Sequence, residues 1–536
     1  MSTSGAYIFY NGKIFTANSK TPNATAMVVK DGRIAWVGEK DELEDITGEW
    51  IDLNGRRVLP GFIDAHLHPL FLADTSKQFA STLPSVRSIS DLIGKIRKQR
   101  ELQGGDKWVE SWGYDEGKLA EGRAPNRYDL DKGAQDVPVV MTRTCGHIIS
   151  VNSIALKLAG IDKNTKDPAG GKIDRDENGE PTGILRESAR ELVLSLKSTK
   201  TLDENAASVA ELSPELLAHG ITGITELLAH NKPVDYLDIY KEASQKGLNQ
   251  RTVVYYAWED FKKLEDLDSK LNREEQVHIG GIKLFADGSI SGQTAWIDEP
   301  YIGGKKENYG IPTTSKEELL AAAEAAKRYD IQLIVHAMGE QAINLILDTF
   351  QDQEGWINDG PSIRIEHATL PTKQALERAA SAGIAFVPQP VFIFAEIESY
   401  VNNLGIARTK RSYPVKSMLE AGIKVALSSD APATAWADPV NPFVGIQSAV
   451  TRKAYNGEET GQDEQIDVET AITLYTRSAQ EITRIPDVGQ LAPGYHADFI
   501  VLDQDILEMD ADKIADVQVI ETYMGGVSAF IKKRVL

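Results

Sequence analysis

The sequence predicts an α/β fold: a (β/α)8 TIM barrel with a small β-sandwich domain built from both chain termini and a long insertion after barrel strand 1. Three observations predict it. Eight apolar, strand-like runs recur through the middle of the 536-residue chain, each followed by a helix-like segment. The two ends share a different texture of short alternating segments punctuated by Asn-Gly and Asp-Gly. Residues able to carry metal chemistry fall at the C-terminal ends of the apolar runs, the face on which barrel active sites are built.

Residues 6–58 contain AYIFYNGKIFT, AMVVKDGRIAWVG and WIDLNGRRVLP, each with a hairpin signal, and residues 495–534 repeat the pattern. Neither block has enough strands to bury a core alone, so the two are expected to pair into one sandwich. The barrel runs are 61–66, 220–226, 251–257, 279–287, 332–338, 362–368, 384–390 and 424–432. Their near-continuous apolar character suits a parallel sheet buried on both faces. Helical patterns such as 316–330 and 372–383 lie between them. An open doubly wound sheet is the alternative, but no Gly-rich phosphate loop follows the first strand. The domain plan is therefore 1–58 and 485–536 for the sandwich and 59–484 for the barrel, with an insertion at about 70–215. An excursion this long at a strand's C-terminal end reads as a lid or pocket wall. Within it, 170–189 reads as a hairpin around a DENGEP turn.

Composition excludes several classes. With 58 basic and 79 acidic side chains the net charge is −21, which argues against nucleic acid or anionic membrane as a partner. No stretch reaches the roughly 18 apolar residues of a membrane span. The N-terminus lacks a secretory pattern, and the one cysteine, Cys145, permits no intrachain disulfide, so a cytoplasmic enzyme is expected.

The first run ends in His66-Leu67-His68, closed by Pro69. Residues i and i+2 of a strand share a face, so two imidazoles converge where the strand stops, the beginning of a metal site. Lys283 in the fourth run, His336 in the fifth, His367 in the sixth and Asp430 in the eighth stand on the same side of the barrel. His219 reads as a helix C-cap, His278 as an opposite-rim residue and His496 as structural, while His230 follows the second run and could reach the site. A plain reading of Lys283 is a salt bridge to Asp287, and of Asp430 a loop cap.

PGFIDAHLHP, IKLFADGSISG, VHAMGEQA, IEHA and LSSDAP together resemble the amidohydrolase superfamily. The resemblance is closest to its N-substituted formamide deformylase-like (YtcJ-like) branch, which the insertion segments WGYDEGKL, GHIISVNSIAL and GGKIDRDENGEPTGILRE also resemble. It implies one or two divalent metals, usually zinc. His66 and His68 would bind one metal, which Asp430 also binds while acting as base; His336 and His367 would bind the second. Lys283 stands where the family carries a carboxylated lysine bridging the two. Physics supports each role. Burial depresses a lysine pKa, so its neutral amine can take up carbon dioxide. A bound divalent ion lowers the pKa of its water to about 7, so that hydroxide attacks a carbonyl while Asp430 shuttles the proton.

The expected function is metal-dependent hydrolysis of a small-molecule amide, an N-acyl or N-formyl amine. A deaminase, a cyclic amide or lactone hydrolase and a non-catalytic regulatory metalloprotein are the alternatives. Trp112, Tyr114, Phe285, Phe392, Phe394 and Trp436 could line an apolar pocket. His147 and Arg143 could contact substrate, and Glu226 could face the site or pair with a basic neighbour. Homodimers are common in the resembling class, so a homodimer is an expectation of that resemblance.

Overall fold

Strands buried on both faces need unbroken apolar runs, and the middle of the chain supplies them. The computed structural model describes residues 5–533 except 44–45, 84, 145, 147, 169–170, 198, 266, 304–306 and 435, so the candidates Cys145 and His147 lie outside the described residues. Phe62–Leu67, Ile221–Ala229, Arg251–Ala257, Val277–Phe285, Gln332–Ala337, Ile363–His367 and Ala385–Val387 pair in that order, all parallel. An eighth segment closes the ring. Val425 bridges Phe386 in parallel, the Asp430 N–H donates to the His66 carbonyl at 2.7 Å, and the His68 N–H donates to the Ala431 carbonyl at 3.1 Å. These segments are the eight predicted runs. The last has no regular ladder because Asp430 takes left-handed backbone (φ 54°) and Pro432 has no N–H to offer.

The surrounding helices follow from spacing and caps. Lys316–Arg328 starts at Ser315, whose side chain accepts from the Glu318 N–H, and it buries Leu319, Ala322, Ala323 and Ala326. That i, i+3, i+4, i+7 stripe of small residues lets the helix lie close against the strands. Among the described residues no helix is long and apolar enough to cross a membrane.

The terminal blocks pair as expected, with Phe499, Ile500 and Val501 antiparallel to Pro60, Leu59 and Val58. All eight strands join in one hydrogen-bonded sheet. It packs around a core that includes Phe9, Met27, Val58, Phe499 and Tyr523. Of the three expected hairpin turns, only Asp31-Gly32 makes one, joining Asn23–Lys30 to Arg33–Gly38. Asn11-Gly12 lies inside the single strand Ala6–Phe15, where Asn11 (φ 58°) forms a bulge. Asn54-Gly55 joins Gly48–Asp52 to Arg57–Pro60, which both run parallel to the first strand instead of pairing with each other. The dipeptide supplies positive φ in all three cases; the neighbours decide what that φ is used for.

The two ends of the chain are also tied by Asp505, which accepts from Arg57 Nε at 2.7 Å and Lys13 Nζ at 2.9 Å. Burial works against ionisation of Asp505, but Arg57 and Lys13 hold its carboxyl down to about 2. A depressed carboxylate stabilises the fold above its unfolded value near 4, and the gain is lost as pH falls through the folded value. Asp505→Asn should therefore cost about 1 kcal/mol at pH 7, allowing for solvent screening, and only a small part of that at pH 2, where the folded carboxyl is half protonated. Denaturant melts of both proteins at the two pH values check this; an equal difference at both would contradict it.

The insertion has a sheet of its own: Gly171–Arg175, Pro181–Glu187, Ile148–Val151, Val139–Arg143, Val109–Tyr114 and Phe79–Ala80 in spatial order. The expected hairpin is present as antiparallel Gly171–Arg175 and Pro181–Glu187. Separate apolar clusters fill its two faces. Its edge reaches back to the barrel, where Lys118 Nζ donates to the Ala395 carbonyl.

Candidate functional site

The C-terminal strand ends converge on the floor of a cavity of about 1360 Å³, walled by the insertion on one side and by the loops after the fourth and seventh strands on the other. His66 and His68 come from the first strand end and Asp430 from the eighth. Their ligand atoms lie within 4.8 Å of one another. Asp430 Oδ1 is 3.1 Å from His66 Nε2 and 3.0 Å from His68 Nε2. Yet Oδ1 is buried and accepts no hydrogen bond among the described residues. An orphaned buried carboxylate oxygen facing two imidazole nitrogens is costly unless a cation sits between them.

His336 and His367 stand beside this cluster, with ring centroids 4.3 Å apart and His367 4.9 Å from His66. Each of the four imidazoles is fixed through its other nitrogen. His66 Nδ1 meets Glu366 Oε2 at 2.7 Å, His68 Nδ1 meets Glu226 Oε1 at 3.4 Å, and His367 Nδ1 meets Gln389 Oε1 at 2.7 Å. His336 uses Nε2 instead, at 2.8 Å from the Gly288 carbonyl. Such outer partners set the tautomer and leave the inward nitrogen as an acceptor, which is how metal-binding histidines are prepared.

Electrostatics agree. Burial pushes His336 down to about 3 and His367 well below the ordinary imidazole value, so both are neutral. Burial opposes charge on His68 too, but the Asp430 and Glu226 carboxylates raise it to about 9. Burial would raise Asp430, whereas the charges of His66 and His68 hold it well below the carboxylate range. A field that holds a proton here also favours a cation in its place. Backbone strain concentrates at the same point. His367 (φ 69°), Ala368 (φ 43°) and Asp430 (φ 54°) are all left-handed, at a cost of order 1–3 kcal/mol each.

Lys283 is buried, and among the described residues it makes no hydrogen bond or ion pair; its Nζ lies 5.1 Å from the Phe285 ring centroid. Burial lowers it to about 8, with Glu366 and Asp430 pulling the other way. The salt bridge to Asp287 is not formed. Asp287 accepts from the N–H groups of Trp296, Met338 and Gly339 at 2.8–3.0 Å, and so pins the loop after the fourth strand to the end of the fifth. Burial raises its carboxyl to about 7.

Of the aromatic candidates, Phe285 and Phe392 line the cavity. Trp112, Tyr114 and Trp436 do not. Tyr114 lies in the core of the insertion with its hydroxyl 3.0 Å from Ser150 Oγ, Trp112 is buried on the same strand, and Trp436 packs edge-on against Phe394. A sheet in the insertion needs its own core, and Tyr114 is part of it. Arg143 reaches the cavity wall, where Nε donates to Glu116 Oε2 at 2.9 Å. His219 caps Ser213–Ala218, His278 opens the fourth strand, and His496 bridges Arg33 in the terminal sheet.

The sequence reading missed Glu366, Gln389, Asp64 and the positioning role of Glu226. Asp64 accepts from Ser429 Oγ at 2.5 Å and from the His66 N–H at 3.2 Å, joining the first strand to the eighth. A signal was available for two of them: an acid inside an apolar strand needs a buried partner. Asp64 is two residues before His66, and Glu366 directly precedes His367.

The amidohydrolase family profile matches residues 49–530. The YtcJ protein of Bacillus subtilis (strain 168) is 31% identical over 98% of this chain and 99% of its own length. The N-substituted formamide deformylase of Arthrobacter pascens is 29% identical over 96% of this chain and 97% of its own. The crystal structure of an uncharacterized metal-dependent hydrolase from Pyrococcus horikoshii OT3 superposes with a TM-score of 0.76 at 26% identity, covering 94% of this chain and 99% of that one.

Proposed function

This chain belongs to the amidohydrolase family and is a metal-dependent hydrolase of carbon–nitrogen bonds other than peptide bonds; on that premise we propose that its substrate is a small linear amide, an N-acyl or N-formyl amine. The observation that carries the proposal is the cluster of His66, His68 and Asp430 on the floor of a half-open, partly apolar cleft, with His336, His367 and Lys283 beside it. The nitrogen and oxygen donors suit zinc. In this reading His66, His68 and Asp430 would hold one ion and His336 and His367 a second, with Lys283, once carboxylated, as a further ligand.

When bound, the metal supplies acidified water and a Lewis acid for the substrate carbonyl. The chain's own residues do the rest. Asp430 takes the proton of the attacking water and returns it to the leaving nitrogen, so one C–O bond forms, one C–N bond breaks and an acid and an amine depart. Glu366, Glu226 and Gln389 keep the imidazoles from turning. The insertion and the Phe285 and Phe392 rings give the cleft apolar walls, and a bound substrate that displaces water from between them strengthens the charge interactions beneath it. The N-substituted formamide deformylase among the relatives favours an amide over a lactone or an amino-heterocycle.

The test is a metal assay of the purified protein followed by a screen of N-formyl and N-acyl amines, lactones and amino-heterocycles with zinc loaded. Turnover confined to the linear amides is the expected result; turnover confined to another class would overturn the proposal. Lys283→Ala should lower the bound metal, and two tightly held ions in that variant would rule out that ligand role.

A further inference from the structure

Among the described residues, the mechanism leaves one histidine of the cleft unused. His230 follows the second barrel strand, Ile221–Ala229, and lines the cavity. Its Nδ1 lies 2.7 Å from Asp260 Oδ2, a carboxylate supplied by the helix that follows the third strand. The Asp260 side chain is mostly covered (15% exposed), whereas 39% of His230 remains open. A carboxylate on Nδ1 fixes the proton there, so the neutral ring presents Nε2 as an acceptor. Among the described residues Nε2 makes no hydrogen bond. The ring is held edge-on to Tyr236, with centroids 5.6 Å apart, and Tyr236, Leu228 and Phe71 are the apolar residues on this side of the cavity.

Glu226, on the strand that His230 follows, touches His68, and the four residue steps from Glu226 to His230 span at most about 13 Å. His230 makes none of the contacts that join the metal cluster and stands instead beside Asp260 and Tyr236, a place that suits the substituent of a substrate more than its scissile bond. An apolar wall with one oriented hydrogen-bonding group is the usual construction of a selective pocket.

We propose that His230, oriented by Asp260, is a substrate-recognition residue that accepts a hydrogen bond from a hydroxyl or N–H on the apolar substituent of the amide. The amides this enzyme prefers are thus those whose apolar group carries a donor at its outer end. The proposal rests on the amide reading above and adds the far end of the substrate to it. Asp260 is a positioning residue, acting through His230.

The experiment compares N-formyltyramine with N-formyl-2-phenylethylamine, which differ by one hydroxyl. Dissociation constants are measured by calorimetry on zinc-loaded Asp430→Asn protein, so that binding is read apart from hydrolysis. The tyramine amide should bind about tenfold tighter, the value of one well-placed hydrogen bond. Adding His230→Phe should bring that ratio to about one, whereas His230→Gln, which keeps an acceptor oxygen, should retain part of it. Asp260→Asn should also shrink the ratio while bound zinc stays at the parent level. Equal affinities in the parent, no binding of either amide, or a ratio that survives His230→Phe would each overturn the assignment. Failure of the amide reading looks different: neither compound is hydrolysed by the enzyme with Asp430 intact, whatever the affinity ratio.

Discussion

Asp430→Asn should retain metal and lose hydrolysis by a factor of about 10² to 10⁴, the range that a positioned general acid–base group contributes. The substitution is a clean probe for three reasons. Asp430 occupies left-handed backbone (φ 54°), a region that asparagine tolerates better than most residues. The amide has the size of the carboxylate and can still turn an oxygen toward His66 and His68, which lie 3.1 and 3.0 Å from the present Oδ1. What it cannot do is take a proton from water and return it to a leaving nitrogen. Metal content by elemental analysis and kcat on an N-formyl amine measure the two halves separately. Full activity in the variant would remove Asp430 from the proton-transfer role. Loss of metal together with activity would make it a ligand first.

The placement of that residue was readable because its motif sits at the end of an apolar run, and so was the placement of His66, His68, His336, His367 and Lys283. Each lies in or just beyond a strand that pairs in the barrel ring, and strand order carries it to the C-terminal face. Local pattern was enough there because the barrel repeats one unit. The partners of these residues were not readable in the same way. Glu366 meets His66 across 300 residues of sequence, and Ser429 meets Asp64 across 365; no spacing rule reaches so far. The aromatic wall was legible only in part. Phe285 alternates with Lys283 along one strand and keeps its place in the cleft. Tyr114 was misplaced because the insertion forms its own sheet with its own core, and Trp112 is buried on the same strand. The Asn-Gly at residue 11 misled for a related reason: a positive φ can serve a bulge as well as a turn.

The second large effect is expected at Glu366, where metal affinity and fold stability meet. Glu366 and Arg364 are both fully buried in the sixth strand; Arg364 Nε donates to Glu366 Oε1 at 3.0 Å, and Glu366 Oε2 meets His66 Nδ1 at 2.7 Å. Arg364 also donates to the Tyr255 hydroxyl at 3.1 Å and to the Ala65 carbonyl at 2.8 Å, so it braces the first and third strands. Glu366→Leu leaves that guanidinium buried without its counter-charge, which should cost about 3–5 kcal/mol of stability. It also releases the His66 ring, which should weaken metal binding by about 10–100-fold. The two losses can be separated. Arg364→Met combined with Glu366→Leu removes both charges, and an apolar pair of similar volume is often as stable as a buried ion pair. The double variant should therefore recover much of the stability in denaturant titration while its zinc affinity stays low, because nothing restores the partner of His66 Nδ1. Recovery of zinc affinity along with stability would mean that Glu366 serves the site only by holding the barrel together, and that His66 needs no orienting carboxylate.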